Sequence, residues 1–166
     1  MSQQIARPKG SRSEAPRTRY EDDLYTWVGE QVALLRAGRL DEIDAENIAE
    51  ELGDVGKSEY RELRRALTLI LAHMLKWDHQ PERRSRSWDN TISAQRLHYA
   101  NALKDSPGLK SRRAEALRDA YEIARRAASS ETNMPLRTFP EACPYDWADI
   151  LERPFDFDAI EREEAH

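Results

Sequence analysis

The fold of this chain is decided by the stretch Leu63–Trp88, whose sequence is LRRALTLILAHMLKWDHQPERRSRSW. In its first half, Leu63, Leu67, Ile70 and Met74 recur at spacings of three and four residues, which predicts an apolar helix face. Further leucines widen this face until apolar side chains cover most of the helix, a pattern typical of a helix in the middle of a bundle. The apolar run ends after about a dozen residues, whereas a membrane-spanning helix needs about 20, so no membrane partner is expected.

The second half of this stretch, residues 81–88, is a turn rich in arginine, which we call the arginine elbow. Pro81 ends the apolar helix, because proline lacks a backbone N–H and disfavours helical geometry at the preceding residue. A second helix is predicted to begin near Ser85 or Ser87, since serine is a favoured N-cap residue. The elbow therefore joins two helices at one end of the predicted bundle.

The elbow and the helical turn before it supply the best candidates for a binding site. Guanidinium groups bind phosphate or carboxylate through paired N–H donors and stack on indole rings, so the expected ligand is an anion. The alternative is that these cations pair with acidic side chains inside the protein, and we expect this for at least one of Arg83 and Arg84. The candidate binding residues are Lys76, Glu82, Arg83, Arg84, Arg86 and Trp88.

Composition and charge restrict the class of protein. The net charge of −5 over 166 residues argues against nucleic-acid binding by the whole surface, so nucleic acid is not the favoured partner, although a local basic patch could bind it. A single cysteine excludes an internal disulfide, and no apolar segment follows the N-terminus, so we expect a cytoplasmic protein of bacterial type. We divide the chain into a disordered basic leader (residues 1–18), a single helical-bundle domain (19–155) and an acidic tail (156–166).

Two helices are predicted before the elbow. The first runs from about Tyr20 to Ala37, and the second begins after Asp44, which can act as its N-cap. Because no proline interrupts the second helix, continuity through Gly53 and Gly56 into the apolar helix is favoured over a kink. The predicted inner face of the first helix consists of Leu24, Trp27, Val28, Gln31, Leu34 and Leu35.

Two more helices and a strap follow the elbow. The third helix is predicted at about Ser87–Lys104, and the fourth from Pro107, with Ser106 as its cap, to about Ser130. Prolines then become frequent, and a short helix at about Pro144–Leu151 completes a strap across the bundle. The predicted fold class is therefore all-α: an antiparallel helical bundle of about four main helices with a C-terminal strap and short helix.

The candidate catalytic residues are His73, Glu50 and Cys143. His73 lies in the apolar helix, where a hydrogen-bonded core or interface histidine is the alternative. Glu50 belongs to an acidic cluster, but no histidine follows these glutamates at the spacing of a di-iron site, so no metal and no cofactor are expected. Cys143 precedes Pro144 at the predicted start of the short helix, a position that lowers the pKa of a thiol. The alternative for Cys143 is a small buried residue of the strap.

The chain resembles the bacterial domain of unknown function 29 family in four segments, which occur in the order AEELGDVGKSEYREL, LAHMLKW, QPERRSRSW and FPEACPYDW. The resemblance covers about Tyr20 to Phe155. It implies a compact all-helical domain and does not imply a reaction. The polar residues that match the family pattern include His73, Cys143 and much of the arginine elbow, which keeps a functional role open for them.

Two functions of different classes remain open from the sequence. The favoured one is a non-enzymatic helical interaction module of the bacterial cytoplasm, with a second copy (a homodimer) or another protein as its partner, because no motif supplies a complete catalytic set. The alternative is a nucleic-acid or phosphate-ligand enzyme. Its anion would be held by Arg83, Arg84 and Arg86, and His73 or a glutamate would act as acid or base. Whether the protein is an enzyme is not decided by the sequence.

Overall fold

A computed structural model describes residues 17–155 and Phe157, and these residues form helices and no strands. The prediction of an all-α helical bundle is confirmed. The five α-helices of the described residues are α1 (Leu24–Arg36), α2 (Ala45–His79), α3 (Arg86–Asp105), α4 (Arg113–Thr132) and α5 (Trp147–Glu152). Short 3₁₀ helices span Pro81–Arg83, Pro107–Arg112 and Leu136–Thr138. None of the described helices is both long enough and apolar enough to cross a bilayer.

The described residues form two compact units, one up to Asp54 and the other from Val55 onward. Helix α2 contributes to both, and it is helical without interruption through Gly53 and Gly56, so the predicted continuity is confirmed. Most of the predicted leader and tail lie outside the described residues. The division into leader, single domain and tail stays a prediction.

In the first unit, α1 begins later than predicted, because Asp23 caps it. The Asp23 carboxylate accepts a hydrogen bond from the Thr26 N–H at 3.0 Å. On α1, Trp27 and Gln31 are buried: the Trp27 ring packs edge-on against Tyr20, with 5.0 Å between ring centroids. The Gln31 side-chain oxygen accepts from the backbone N–H of Asp44 at 2.8 Å.

The inner face predicted for the first helix is wrong at three positions, because Leu24, Val28 and Leu35 are exposed. The apolar surface of α1 is wider than the side that packs within the chain, so periodicity alone selected too many inward positions. Asp44 does cap α2 as predicted, since its carboxylate accepts hydrogen bonds from the backbone and side-chain nitrogens of Asn47 at 3.3 and 2.7 Å.

The core of the second unit is built around the apolar half of α2, as the sequence predicts. Six α2 side chains are fully buried: Leu63, Leu67, Ile70, Leu71, Met74 and Leu75. Helix α4 lies beside α2 and runs in the same direction, because Tyr60 bonds Asp119 and Lys76 bonds Glu131. Helix α4 buries a stripe of alanines at four-residue spacing, Ala116, Ala120, Ala124 and Ala128, and these small side chains let a helix approach its neighbours closely.

Two predicted helix starts in the second unit also differ from the structure. The segment after Ser106 is a 3₁₀ helix, and the Ser106 hydroxyl donates to Glu59 at 3.0 Å instead of capping, so α4 begins only at Arg113. The short helix α5 begins at Trp147, because Asp146 and Asp149 form a reciprocal capping box there. The strap is nevertheless docked as expected, with Phe139, Tyr145, Ile150 and Phe155 buried in the core.

Candidate functional site

A hydrogen bond from Arg84 to the end of α2 holds the arginine elbow in place. The carbonyl of Trp77 lacks its helical donor, because the residue four positions later is Pro81, which has no N–H. Arg84 supplies the missing donor: its Nε donates to the Trp77 carbonyl at 2.9 Å, and its guanidinium carbon lies 5.3 Å from the centroid of the Trp77 ring. Arg84 therefore binds a partner inside the protein, as predicted. The partner is a backbone carbonyl, so the expectation that it would be an acidic side chain is wrong.

Lys76 is the most deeply buried cation among the candidates, with a side chain only 7% exposed. Its Nζ lies 2.6 Å from Oε2 of Glu131 and 5.0 Å from the centroid of the Trp88 ring. Burying an ammonium group requires such a partner, because an isolated charge loses its hydration. Glu131 is a residue that sequence reasoning missed, since it lies 55 residues from Lys76 along the chain.

The remaining charged residues of the elbow face solvent. Glu82, Arg83 and Arg86 are exposed, and the Arg83 side chain makes no hydrogen bond or ion pair with any described residue, while its backbone N–H donates to the Gln80 carbonyl at 3.0 Å. The candidate cations thus have separate roles, and Lys76 and Arg84 are bound to internal partners. Arg83 remains available to an external anion.

We expect Arg84→Ala to lower the free energy of unfolding by about 1–2 kcal/mol, because it leaves the half-buried Trp77 carbonyl without a donor. Arg83→Ala is the matched control and should change it by less than about 0.5 kcal/mol, as exposed substitutions usually do. Urea unfolding of both variants measures the difference. Equal stability of the two variants would contradict a structural role for Arg84, and wild-type stability in both would favour an anion site at the elbow.

His73 is half-buried on α2, near Lys76 and Glu131. Its Nδ1 lies 2.9 Å from the carbonyl of Leu69, and because a carbonyl can only accept, Nδ1 carries the proton. Burial lowers the pKa of His73, and the charge of Lys76 lowers it further, so the imidazole is neutral at neutral pH. This geometry agrees with the hydrogen-bonded histidine that the sequence left as the alternative. A role for His73 as acid or base stays a prediction.

Glu50 is an exposed residue of the first unit, on α2. Next to it, Glu51 accepts a hydrogen bond from the Tyr20 hydroxyl at 2.6 Å. This bond, together with the nearby charges of Glu51, Glu50 and Asp54, raises the pKa of Tyr20 to about 12. In the described part of the chain, no three His, Cys, Asp or Glu side chains are placed to hold a metal ion.

The prediction that the pKa of Cys143 is lowered is wrong. Helix α5 begins only at Trp147, so Cys143 is not at a helix N-terminus. Its side chain is half-buried, with Sγ 3.6 Å from the Tyr145 carbonyl oxygen, and burial raises the pKa of the thiol. Cys143 is therefore protonated at neutral pH, which favours the alternative of a strap residue.

Sequence reasoning also missed the ion pair that fastens the strap to α2. Arg153 donates to the two carboxylate oxygens of Asp78 at 2.6 and 3.0 Å, and the Tyr145 hydroxyl donates to Asp78 at 2.8 Å. Burial by itself would raise the pKa of Asp78, but the hydrogen bonds from Arg153 and Tyr145 outweigh it and the pKa is lowered. Asp78 lies 67 residues from Tyr145 and 75 residues from Arg153 along the sequence, so no local sequence pattern indicates this cluster.

The comparisons with known proteins identify a family and no closer relative. A family model described as a domain of unknown function, DUF29, matches residues 19–156. No curated protein and no solved structure matches the chain.

Proposed function

Because the chain belongs to the DUF29 family, a domain of unknown function, we propose its function from its surface: a non-enzymatic helical interaction module of the bacterial cytoplasm that binds a protein partner. The observation that carries this proposal is a row of exposed apolar side chains on α1, which we call the α1 face. It consists of Leu24, Tyr25, Val28, Val32 and Leu35.

These residues share one side of the helix. Their spacing places them within an arc of roughly 100° on a helix of 3.6 residues per turn. Tyr25 is 90% exposed and the others between 38 and 47%. Single exposed apolar residues are common on protein surfaces, whereas a contiguous row marks a site of interaction.

The charge of the first unit indicates which partner fits. Residues 17–54 carry four arginines and eleven acidic residues, a net charge of −7. In a two-fold dimer through the α1 face, this acidic unit would meet its own copy, and placing like charges together opposes association. A basic amphipathic helix satisfies both features, with its apolar side on the α1 face and its lysines or arginines near the acidic residues.

Two designed amphipathic helical peptides test the proposal. They share the same apolar side, and they carry either lysine or glutamate on the polar side. We expect fluorescence anisotropy to show binding of the basic peptide, which Val28→Gln weakens about tenfold or more. The matched control is Ile123→Gln on α4, because Ile123 is 44% and Val28 41% exposed and neither substitution changes the charge. Circular dichroism verifies that both variants are folded.

Three outcomes would contradict the proposal. The first is equal affinity for the acidic and basic peptides, and the second is unchanged binding in Val28→Gln. The third is a concentration-dependent dimer in sedimentation that Val28→Gln dissociates, because a second copy would then cover the α1 face.

The second candidate function is the nucleic-acid or phosphate-ligand enzyme. It is favoured by the exposure of the Arg83 side chain, which has no partner among the residues that the structure describes. Only Arg83 and Arg86 of the three elbow arginines are exposed, while Arg84 is bound to Trp77. Titration with a single-stranded oligonucleotide and with inorganic phosphate tests this candidate. Binding that Arg83→Ala abolishes and Arg137→Ala preserves would support it over the interaction module.

A further inference from the structure

A groove in the second unit lies between α4 and the segment that follows it, residues 136–143. Its volume is about 570 Å³, within the range of about 300–1,000 Å³ that small-molecule sites occupy. The floor is mainly apolar, with Leu117, Tyr121, Leu136 and Cys143 among its lining residues. This groove is in a different unit from the α1 face, so its role is independent of the function proposed above.

The walls of the groove are fastened together. The Tyr121 hydroxyl donates to the carbonyl of Pro140 at 2.7 Å. From the next turns of α4, Nε of Arg125 donates to the carbonyl of Phe139 at 3.0 Å. Phe139 itself is 1% exposed and anchored in the core. The groove is therefore a preformed feature of the docked strap, which reduces the conformational cost of binding a ligand.

Three arginines of α4 line the same groove: Arg118, Arg125 and Arg126. The Arg118 side chain interacts electrostatically with Glu115 but makes no hydrogen bond with a described residue. The bond from Nε of Arg125 orients its guanidinium and leaves the terminal nitrogens unbonded within the described part of the chain. Arg126 pairs with Glu122 at 3.0 Å, but both side chains are more than two-thirds exposed, and such a pair contributes only about 0–1 kcal/mol. Guanidinium donors are thus available beside an apolar floor.

We propose that this groove binds a small organic monocarboxylate whose apolar body lies on the floor and whose carboxylate is held by Arg118 and Arg125. Two glutamates, Glu122 and Glu141, also line the groove, so its formal charge is +1 and matches a monoanion better than a dianion. Paired N–H donors of a guanidinium fit the two oxygens of a carboxylate. The apolar body supplies the remaining affinity through burial.

Three probes separate the two parts of this recognition: octanoate, octanol and acetate. Octanol has the apolar body without the charge, and acetate has the charge without the body. We expect octanoate alone, at low-millimolar concentration, to shift the amide NMR signals of Ala142 and Cys143. Because Cys143 is the single cysteine of the chain and lines the groove, octanoate should also slow its alkylation by a maleimide.

The decisive variant is Arg118→Gln, because Arg118 is exposed and its side chain makes no hydrogen bond with a described residue, so that only its electrostatic interaction with Glu115 is lost within that part of the chain. We expect it to raise the dissociation constant of octanoate about tenfold, as loss of a hydrogen bond to a charged group does. Arg137→Gln is the matched control: Arg137 is an exposed arginine next to Leu136 and outside the groove, and its substitution should leave the constant unchanged. Three results would each overturn the proposal. The first is that octanol shifts the amide NMR signals as much as octanoate does, and the second is that octanoate does not shift them. The third is that Arg118→Gln and Arg137→Gln change the dissociation constant of octanoate equally.

Discussion

Leu71→Ala is expected to lower the free energy of unfolding by about 2–5 kcal/mol, because it removes buried methyl groups and leaves a cavity that the core cannot fill. Leu71 lies in the middle of the apolar half of α2 and has no exposed surface. Urea unfolding followed by circular dichroism measures the change.

The matched control for this prediction is Leu97→Ala on α3. Leu97 is 63% exposed, so its truncation should change the free energy of unfolding by less than about 0.5 kcal/mol. A loss below about 0.5 kcal/mol for Leu71→Ala would show that α2 is not the centre of the core.

Asp78→Asn should have the second large effect, a loss of about 2–3 kcal/mol at neutral pH. This value lies between about 0–1 kcal/mol for an exposed ion pair and about 3–5 kcal/mol for breaking a buried one. The Asp78 and Arg153 side chains are 26% and 32% exposed, which places their pair between the two classes. Asp105→Asn, at an exposed aspartate of the same unit, is the control and should be nearly neutral.

The contribution of Asp78 depends on pH with a defined sign. Because the pKa of Asp78 is lowered in the folded protein, its charge stabilises the fold fully above the unfolded pKa of about 4. That stabilisation is lost as the pH falls through the folded pKa. The difference in unfolding free energy between wild type and Asp78→Asn should therefore be constant near neutrality and shrink in acid. A difference that does not change in acid would mean that the carboxylate charge is not the stabilising feature.

The strap connects Asp78 with the proposed ligand groove. Residues 136–143 form one wall of the groove, and the same strap continues to Arg153, which Asp78 binds. Loosening the strap should therefore weaken octanoate binding in Asp78→Asn as well. Because Asp78 does not line the groove, this effect would be indirect and would vary with the extent of strap docking.

Local patterns in the sequence determined the helices and the identity of the central one. Apolar spacing around Leu71 predicted a buried helix, and the cap at Asp44 was predicted from its side-chain chemistry alone. Even the partner of Arg84 has a local signal, because a proline four residues after Trp77 leaves the Trp77 carbonyl without a donor. These features depend on residues within a few turns of one another, which is the range over which periodicity and capping operate.

Only the tertiary structure decided which side chains meet and which remain exposed. Both sides of the apolar surface of α1 satisfy the same periodicity, and packing alone buries Trp27 while leaving Val28 exposed. The partners of Lys76 and Asp78 come from α4 and the strap, more than 50 residues away. The raised pKa of Cys143 likewise follows from the burial of its side chain when the strap docks. Long-range pairing and burial depend on how the helices pack, and a pattern read along one helix contains no information about its neighbours.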